Sequence, residues 1–251
     1  MFKYRRFIWN QAVSDLRHRY AGTGIGIAWN VIHPLAQIAI YALVFSLIYH
    51  QPLTTITLYI CSGFFPWLAL SDCVIRGCNS FVANANYLKR LAIPEMVFVA
   101  QSATSTALSL ALNFALLLLV SLPLGVTPHW TWALLPIPLV LLLCFAFSAG
   151  FLLGTLNVFF RDISEWVNIF LQVTFWTVPV VYRIDILPTS VRALMVWHPI
   201  APAIMTVHAL FLDGTVPGPD LWISMLVWPA VTFLIATLAF GALRDEMRDL
   251  V

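Results

Sequence analysis

Charge is what this 251-residue chain has least of: 10% of its residues are Asp, Glu, Lys or Arg, against 61% that are hydrophobic. Soluble domains carry about 25% charged and roughly 45–50% apolar residues, which excludes a water-soluble enzyme or binding module. Lysine is scarcer still. The two lysines, Lys3 and Lys89, follow Phe2 and Leu88, whereas a phosphate-binding loop requires a lysine preceded by glycine, so nucleotide hydrolysis by this chain is excluded. The four cysteines, Cys61, Cys73, Cys78 and Cys144, stand in or beside apolar segments. They lack the paired short spacing of a zinc site and the density of a disulfide scaffold, and read as small buried hydrophobes. The six histidines are scattered, and no HExxH, paired-Cys or GxSxG pattern assembles a metal or nucleophile site. The apolar stretches are nearly free of ionisable residues, each of which costs about 2.5–3.5 kcal/mol at the bilayer centre. Proton- or ion-coupled transport is therefore not favoured, and no ring of charges marks a channel filter.

What is abundant is uninterrupted apolar length, with a mean hydropathy of +0.90. An α-helix needs about 20 such residues to cross about 30 Å of hydrocarbon. The pattern predicts an all-α integral membrane protein with six transmembrane helices, at about 28–49, 57–74, 95–119, 132–159, 166–182 and 221–243. Ahead of them, Trp9, Ala12, Val13, Leu16 and Tyr20 recur at helical spacing among Arg5, Arg6, Arg17 and Arg19, which describes an N-terminal amphipathic helix lying in the membrane interface. Gly22, Gly24 and Gly26 break it. Residues 1–26 are thus expected to form the interfacial helix and its turn, and residues 27–251 the transmembrane domain. The basic N-terminus precedes no uninterrupted apolar run or small-residue cleavage site, so a cleaved signal peptide is not expected. Between the fifth and sixth spans, Pro188, Pro199, Pro202, Pro217 and Pro219 divide an apolar stretch into two short helices, each too short to span and so re-entrant or external.

With both termini cytoplasmic, eleven lysines and arginines fall inside and two, Arg183 and Arg192, outside, a strong positive-inside pattern. The longest internal cytoplasmic loop contains "NANYLKRLAIP". In it Asn84 or Asn86 can cap a short helix bearing Tyr87, Leu88, Lys89 and Arg90, and Pro94 can occupy the first turn of the next span. This is either a docking element for a cytoplasmic partner or a solvated connector. Asp72 and Arg76 are four residues apart near the inner end of span two and read as an i,i+4 helix pair. Phe160, Arg161 and Asp162 fall in the cytoplasmic turn between spans four and five. There Asp162 or Ser164 is placed to cap span five, and Arg161 to meet the last carbonyls of span four. Most of the ten tryptophans read as interfacial belts. Phe64, Phe65 and Trp67 beside Gly63 and Pro66, and Phe175 and Trp176 near Pro179, either pack the core or offer ring faces to sugar rings along a pathway.

Three blocks carry a resemblance. "RYAGTGIGIAWNVIHPL" (19–35), "LGTLNVFFRDISEWVNIFLQVTFWTVPVVY" (153–182, ending in a Pro-x-x-Tyr at Tyr182) and "WHPIAPAIMTVHALFLDGTVP" (197–217) are similar to segments of the ABC-2 type membrane subunits that export lipid-linked polysaccharides such as O-antigen, teichoic acid and capsule. His198 stands where that family usually has asparagine, and His208 where it often has arginine or tyrosine.

The resemblance implies a permease without catalytic residues or a cofactor of its own, with ATP and Mg held by a separate ATPase. It implies a homodimer with a pathway at the subunit interface, two copies of a cytoplasmic ABC ATPase, no nucleic acid, and a bacterial inner-membrane location. The cargo would be an undecaprenyl-diphosphate-linked glycan. Residues 84–94 would be the ATPase-coupling helix, and Arg5, Arg6, Arg17 and Arg19 would meet the lipid diphosphate or anionic lipid. The competing readings are an ABC-2 exporter of a drug or small lipid, and a membrane-embedded glycan-assembly enzyme without an ATPase.

Overall fold

The computed structural model describes residues 4–19, 22–85, 87 and 93–250. Nine α-helices and no strand are found among them: α1 Arg5–His18, α2 Trp29–Tyr49, α3 Leu53–Ala83, α4 Met96–Ser121, α5 Pro136–Phe159, α6 Ile163–Thr177, α7 Thr189–Val196, α8 Ala201–His208 and α9 Pro219–Leu250. The chain folds as an all-α, multi-pass membrane protein. Five helices are long and apolar enough to cross a membrane, and a sixth crossing results if the bent pair α7 and α8 counts as one span.

The bundle is organised around α3, which packs against α2, α4, α5, α6 and α8. Small residues permit this. A Cβ on Gly77 would lie 2.7 Å from the Gly150 Cα, and one on Gly154 would lie 2.6 Å from the Gly77 carbonyl oxygen, so the α3 and α5 backbones touch. In hydrocarbon, where no hydrophobic force separates helix from lipid, such close backbone approach is a main source of helix association. The large core cluster runs along α3, with Ile60, Phe64, Leu70 and Cys73 all nearly inaccessible. A second, smaller cluster of Phe81, Val99, Phe151, Ala236 and Met247 closes the inner end.

Several boundaries differ from those expected. The second span is not 57–74 but a 31-residue helix, Leu53–Ala83, about 46 Å long at 1.5 Å per residue and so longer than the hydrocarbon core. Its polar end, with Asp72 and Arg76, stays helical because those charges find partners on α1 and α4. The last helix likewise continues past 243 to Leu250. The fifth crossing, expected over 166–182, is helical only as Ile163–Thr177. Fifteen residues give about 22 Å; Pro179 ends the helix, and Val178–Tyr182 continue as non-helical chain.

The two short helices before the last span are present, bent by 102° at their junction. They differ in environment. No residue of α7 is buried. In α8 every residue except Met205 is buried, between α3, α5 and α9. A π-helical turn, Ala209–Asp213, follows α8, and Thr131 and Trp132 donate hydrogen bonds to the carbonyls of Leu210 and Phe211 within it.

Candidate functional site

α1 is fastened to the bundle by charge. Arg76 on α3 pairs with Asp15 on α1 at 2.5 Å, and Arg19, just past α1, pairs with Asp72 on α3 at 3.2 Å. The i,i+4 pairs within each segment, Asp15–Arg19 at 3.5 Å and Asp72–Arg76 at 3.7 Å, complete a ring of two cations and two anions. From α4, the Ser105 hydroxyl donates to Asp15 at 2.7 Å and the Thr106 hydroxyl to Asp72 at 2.6 Å. Asp72 and Arg76 therefore do form the expected pair, but as part of a six-residue cluster joining three segments. Two i,i+4 acid–base pairs on different helices were the sequence signal for it.

Arg19, grouped in the sequence with Arg5, Arg6 and Arg17 as a possible diphosphate contact, is engaged by Asp72, Asp15 and Ser105. Arg5, Arg6 and Arg17 are exposed on α1.

The loop after α3 is held at both ends. The Asn84 side-chain amide donates to the Ser80 carbonyl at 2.8 Å, and the Asn84 carbonyl accepts from the Tyr87 N–H at 2.9 Å. Tyr87 lies beside Phe98, ring centroids 6.5 Å apart. Asn86, Leu88, Lys89 and Arg90 lie outside the described residues. Pro94 stands just ahead of α4 and not within its first turn, its carbonyl accepting from the Val97 N–H. Next to it, the carboxylate of buried Glu95 takes two hydrogen bonds from Arg244 on α9, at 3.3 and 3.4 Å. The exit of the loop is thereby tied to the last helix, a contact 149 residues apart that nothing in the local sequence announces.

The turn at Phe160, Arg161 and Asp162 is built differently from the expected side-chain caps. Phe160 takes extended dihedrals and stops α5. The Asp162 backbone carbonyl, not its carboxylate, accepts from the N–H groups of Glu165 and Trp166. Ser164 donates to the Arg161 carbonyl at 3.2 Å. Among the described residues, Arg161 and Asp162 make no side-chain hydrogen bond or ion pair, with each other or elsewhere, so both charges and the 67%-exposed Phe160 ring are presented outward.

The candidate pathway aromatics divide. Phe64, Trp67 and Phe175 are buried together, with centroid distances of 6.0 Å for Phe64–Phe175 and 5.5 Å for Trp67–Phe175; their role is packing between α3 and α6. Tyr41 of α2, which sequence reasoning missed, touches Phe64, Phe175 and Trp176. Trp176 is exposed on the outer side of this cluster. Phe65, on the other side of α3, borders a cavity with α2 and α4. Tyr182 donates its hydroxyl to the Thr177 carbonyl at 2.6 Å, bracing the non-helical end of α6.

Just ahead of α8, the His198 Nδ1 accepts from the N–H groups of Ile200 and Ala201. His208 is stacked on Tyr59 at 4.1 Å, above Gly63, where a Cβ would meet its Nε2 at 2.8 Å.

The sequence profile of the ABC-2 type transporter family matches residues 9–212, from within α1 to within the π-turn. Among curated relatives, an "O-antigen export system permease protein RfbA" of Klebsiella pneumoniae is 27% identical over 240 residues, covering 94% of this chain and 92% of that protein. A second protein of that name and organism is 26% identical, covering 93% and 89%. One from Myxococcus xanthus is 23% identical, covering 99% and 96%. With the α1 latch and the buried α8 inside the matched region, the chain belongs to the ABC-2 type transporter family.

Proposed function

We propose that this chain is the membrane permease subunit of an ATP-driven exporter that moves a lipid-linked polysaccharide across the bacterial inner membrane. The observation that carries this is the near end-to-end similarity to O-antigen export permeases, together with the absence of any glycine-preceded lysine. ATP and Mg are bound by a separate cytoplasmic ATPase, two copies of which serve a homodimer of this chain, and both termini face the cytoplasm. The basic bias supports that orientation.

Within this reading, ATP binding acts on residues 84–94 and on the exposed Phe160–Asp162 turn. The loop's anchorage, through Asn84 to α3 and through Glu95 to Arg244, supports a mechanical role: a push on the loop reaches α3, α4 and α9 together. The nucleotide shifts the spans only through its differential affinity for two states of the assembly. Arg5, Arg6 and Arg17 are available to the lipid diphosphate or to anionic lipid, since guanidinium groups pair bidentately with phosphate. Trp176 and Tyr41 lie toward the α2 and α6 side that a second copy would face.

The test is deletion of the gene in its own cell. Loss of surface polysaccharide with accumulation of lipid-linked glycan in the inner membrane is the expected result. Normal surface polysaccharide, or loss without accumulation, contradicts export and points instead to another cargo or to assembly.

A further inference from the structure

α2 and α4 both pack on α3, and the space between them is a cavity of about 670 Å³. Its walls are unusual for a chain this apolar. On α2, Asn30, His33 and Gln37 follow at helical spacing; on α4, Thr106, Ser109 and Asn113 do the same, and all six line the cavity. Asn30 and Asn113 are more than nine-tenths buried. The Asn30 Nδ2, the Ser109 Oγ and the Asn113 Oδ1 have no hydrogen-bond partner among the described residues. An unsatisfied polar group away from water costs several kcal/mol in hydrocarbon, so three around one cavity require a polar occupant.

The charges say which kind. Arg19 and Asp72, at the inner end of the cavity, are paired with each other at 3.2 Å, and the ring they belong to has equal numbers of cations and anions. Among the described residues, no unpaired Arg or Lys lines the wall to hold an anion, and no unpaired carboxylate to hold a cation. What remains is a set of amide and hydroxyl groups with the His33 imidazole, beside the rings of Trp29 and Phe65 and the apolar Pro34, Leu68 and Leu110. Donors and acceptors together, flanked by aromatic surface, match an uncharged ring bearing several hydroxyls.

We infer that the α2–α3–α4 cavity binds an uncharged, hydroxyl-rich group of mono- or disaccharide size within a single protomer, held by Asn30, Ser109 and Asn113. It is separate from the Arg5, Arg6 and Arg17 surface proposed for the diphosphate. The chemistry of the site stands on its lining; the source of the sugar, a unit of the exported glycan, rests on the export reading.

The probes are octyl β-glycosides of glucose, galactose and mannose, radiolabelled and measured by scintillation proximity on the full chain in lipid nanodiscs, with empty nanodiscs as blank. At least one should bind saturably and be displaced by the corresponding methyl glycoside but not by octyl phosphate. Ser109→Ala, which keeps the helix and nearly the volume, and Asn113→Leu should together weaken binding about tenfold or more, two lost hydrogen bonds, with an unchanged size-exclusion profile. Non-saturable uptake, equal displacement by octyl phosphate, or indifference to both substitutions shows an apolar groove or a water-filled cleft and overturns the inference. The same preparations, paired with the ATPase and loaded with lipid-linked glycan, separate the two claims. Export without glycoside binding removes this site alone, and binding without export removes the export reading alone.

Discussion

Two neighbouring helices of this protein, α2 and α3, are both apolar and both long enough to cross a membrane, yet 72% of the most apolar stretch of α3 is buried inside the protein and only 17% of that of α2. The more buried helix is the less apolar one, with a mean hydropathy of 1.5 for α3 against 2.0 for α2, so side-chain size and polarity decide rather than greasiness. α3 presents Gly63, Gly77, Cys61, Cys73 and Cys78 to its neighbours, while α2 turns Ile40, Leu43, Leu47 and Ile48 outward. Because lipid is as apolar as leucine, a large aliphatic side chain gains little by choosing protein over bilayer; close backbone packing and hydrogen bonds decide which helix becomes central. α3 is the axis on which α1, the cytoplasmic loop and α8 are all hung, and α2 is free to face lipid or a second copy.

The comparison breaks most directly at Gly77. Gly77→Leu drives side-chain atoms into the α5 backbone, so little or no monodisperse protein should be recovered by size-exclusion chromatography, whereas Leu47→Ala on α2 should leave the profile unchanged. Next comes Arg76→Ala, which strips Asp15 of its closest cation in a part-buried site and should cost about 1–3 kcal/mol of stability by thermal melt. A double-mutant cycle with Asp15→Asn should show positive coupling, and additive effects would mean the latch does not act as a unit. Glu95→Gln should be milder, about 1 kcal/mol, because Arg244 is 43% exposed. Its larger effect is expected on the ratio of ATP hydrolysed to glycan exported. Smallest in stability is Arg161→Ala with Asp162→Ala, within about 0.5 kcal/mol of the parent since neither side chain has a partner among the described residues. Unchanged coupling between hydrolysis and export in that variant would remove the turn from the transmission path.

Much of this architecture was legible beforehand, and the parts that were not share a cause. Long apolar runs fixed the helix count, and the proline-broken stretch before α9 read correctly as two short helices because their length is insufficient to span. The early end of α6 was not legible: hydropathy sees Val178, Val180 and Val181 as a continuation of the helix, while Pro179 and the β-branched residues end it. Within the site, periodicity placed Asp72 and Arg76 on one helix face, but could not say that Asp15 and Arg19 of the α1 segment meet them. Glu95 and Arg244 each look like an ordinary positive-inside or helix-start residue until the fold joins them. Phe64, Trp67 and Phe175 were recognisable as a set yet not assignable, since an aromatic ring packs a core or lines a path with the same sequence signature. The polar stripes of α2 and α4 are readable at i, i+3 and i+7 once the cavity draws attention to them.

The central claim, that this permease exports glycan under the control of a separate ATPase, is tested most directly in inverted membrane vesicles. These would contain the purified chain, its partner ATPase and an undecaprenyl-diphosphate-linked oligosaccharide. Transfer of the glycan to the vesicle lumen that requires ATP, the ATPase and this chain together is the predicted result. Transfer that proceeds without ATP, or glycan that is modified but never moved, would contradict it.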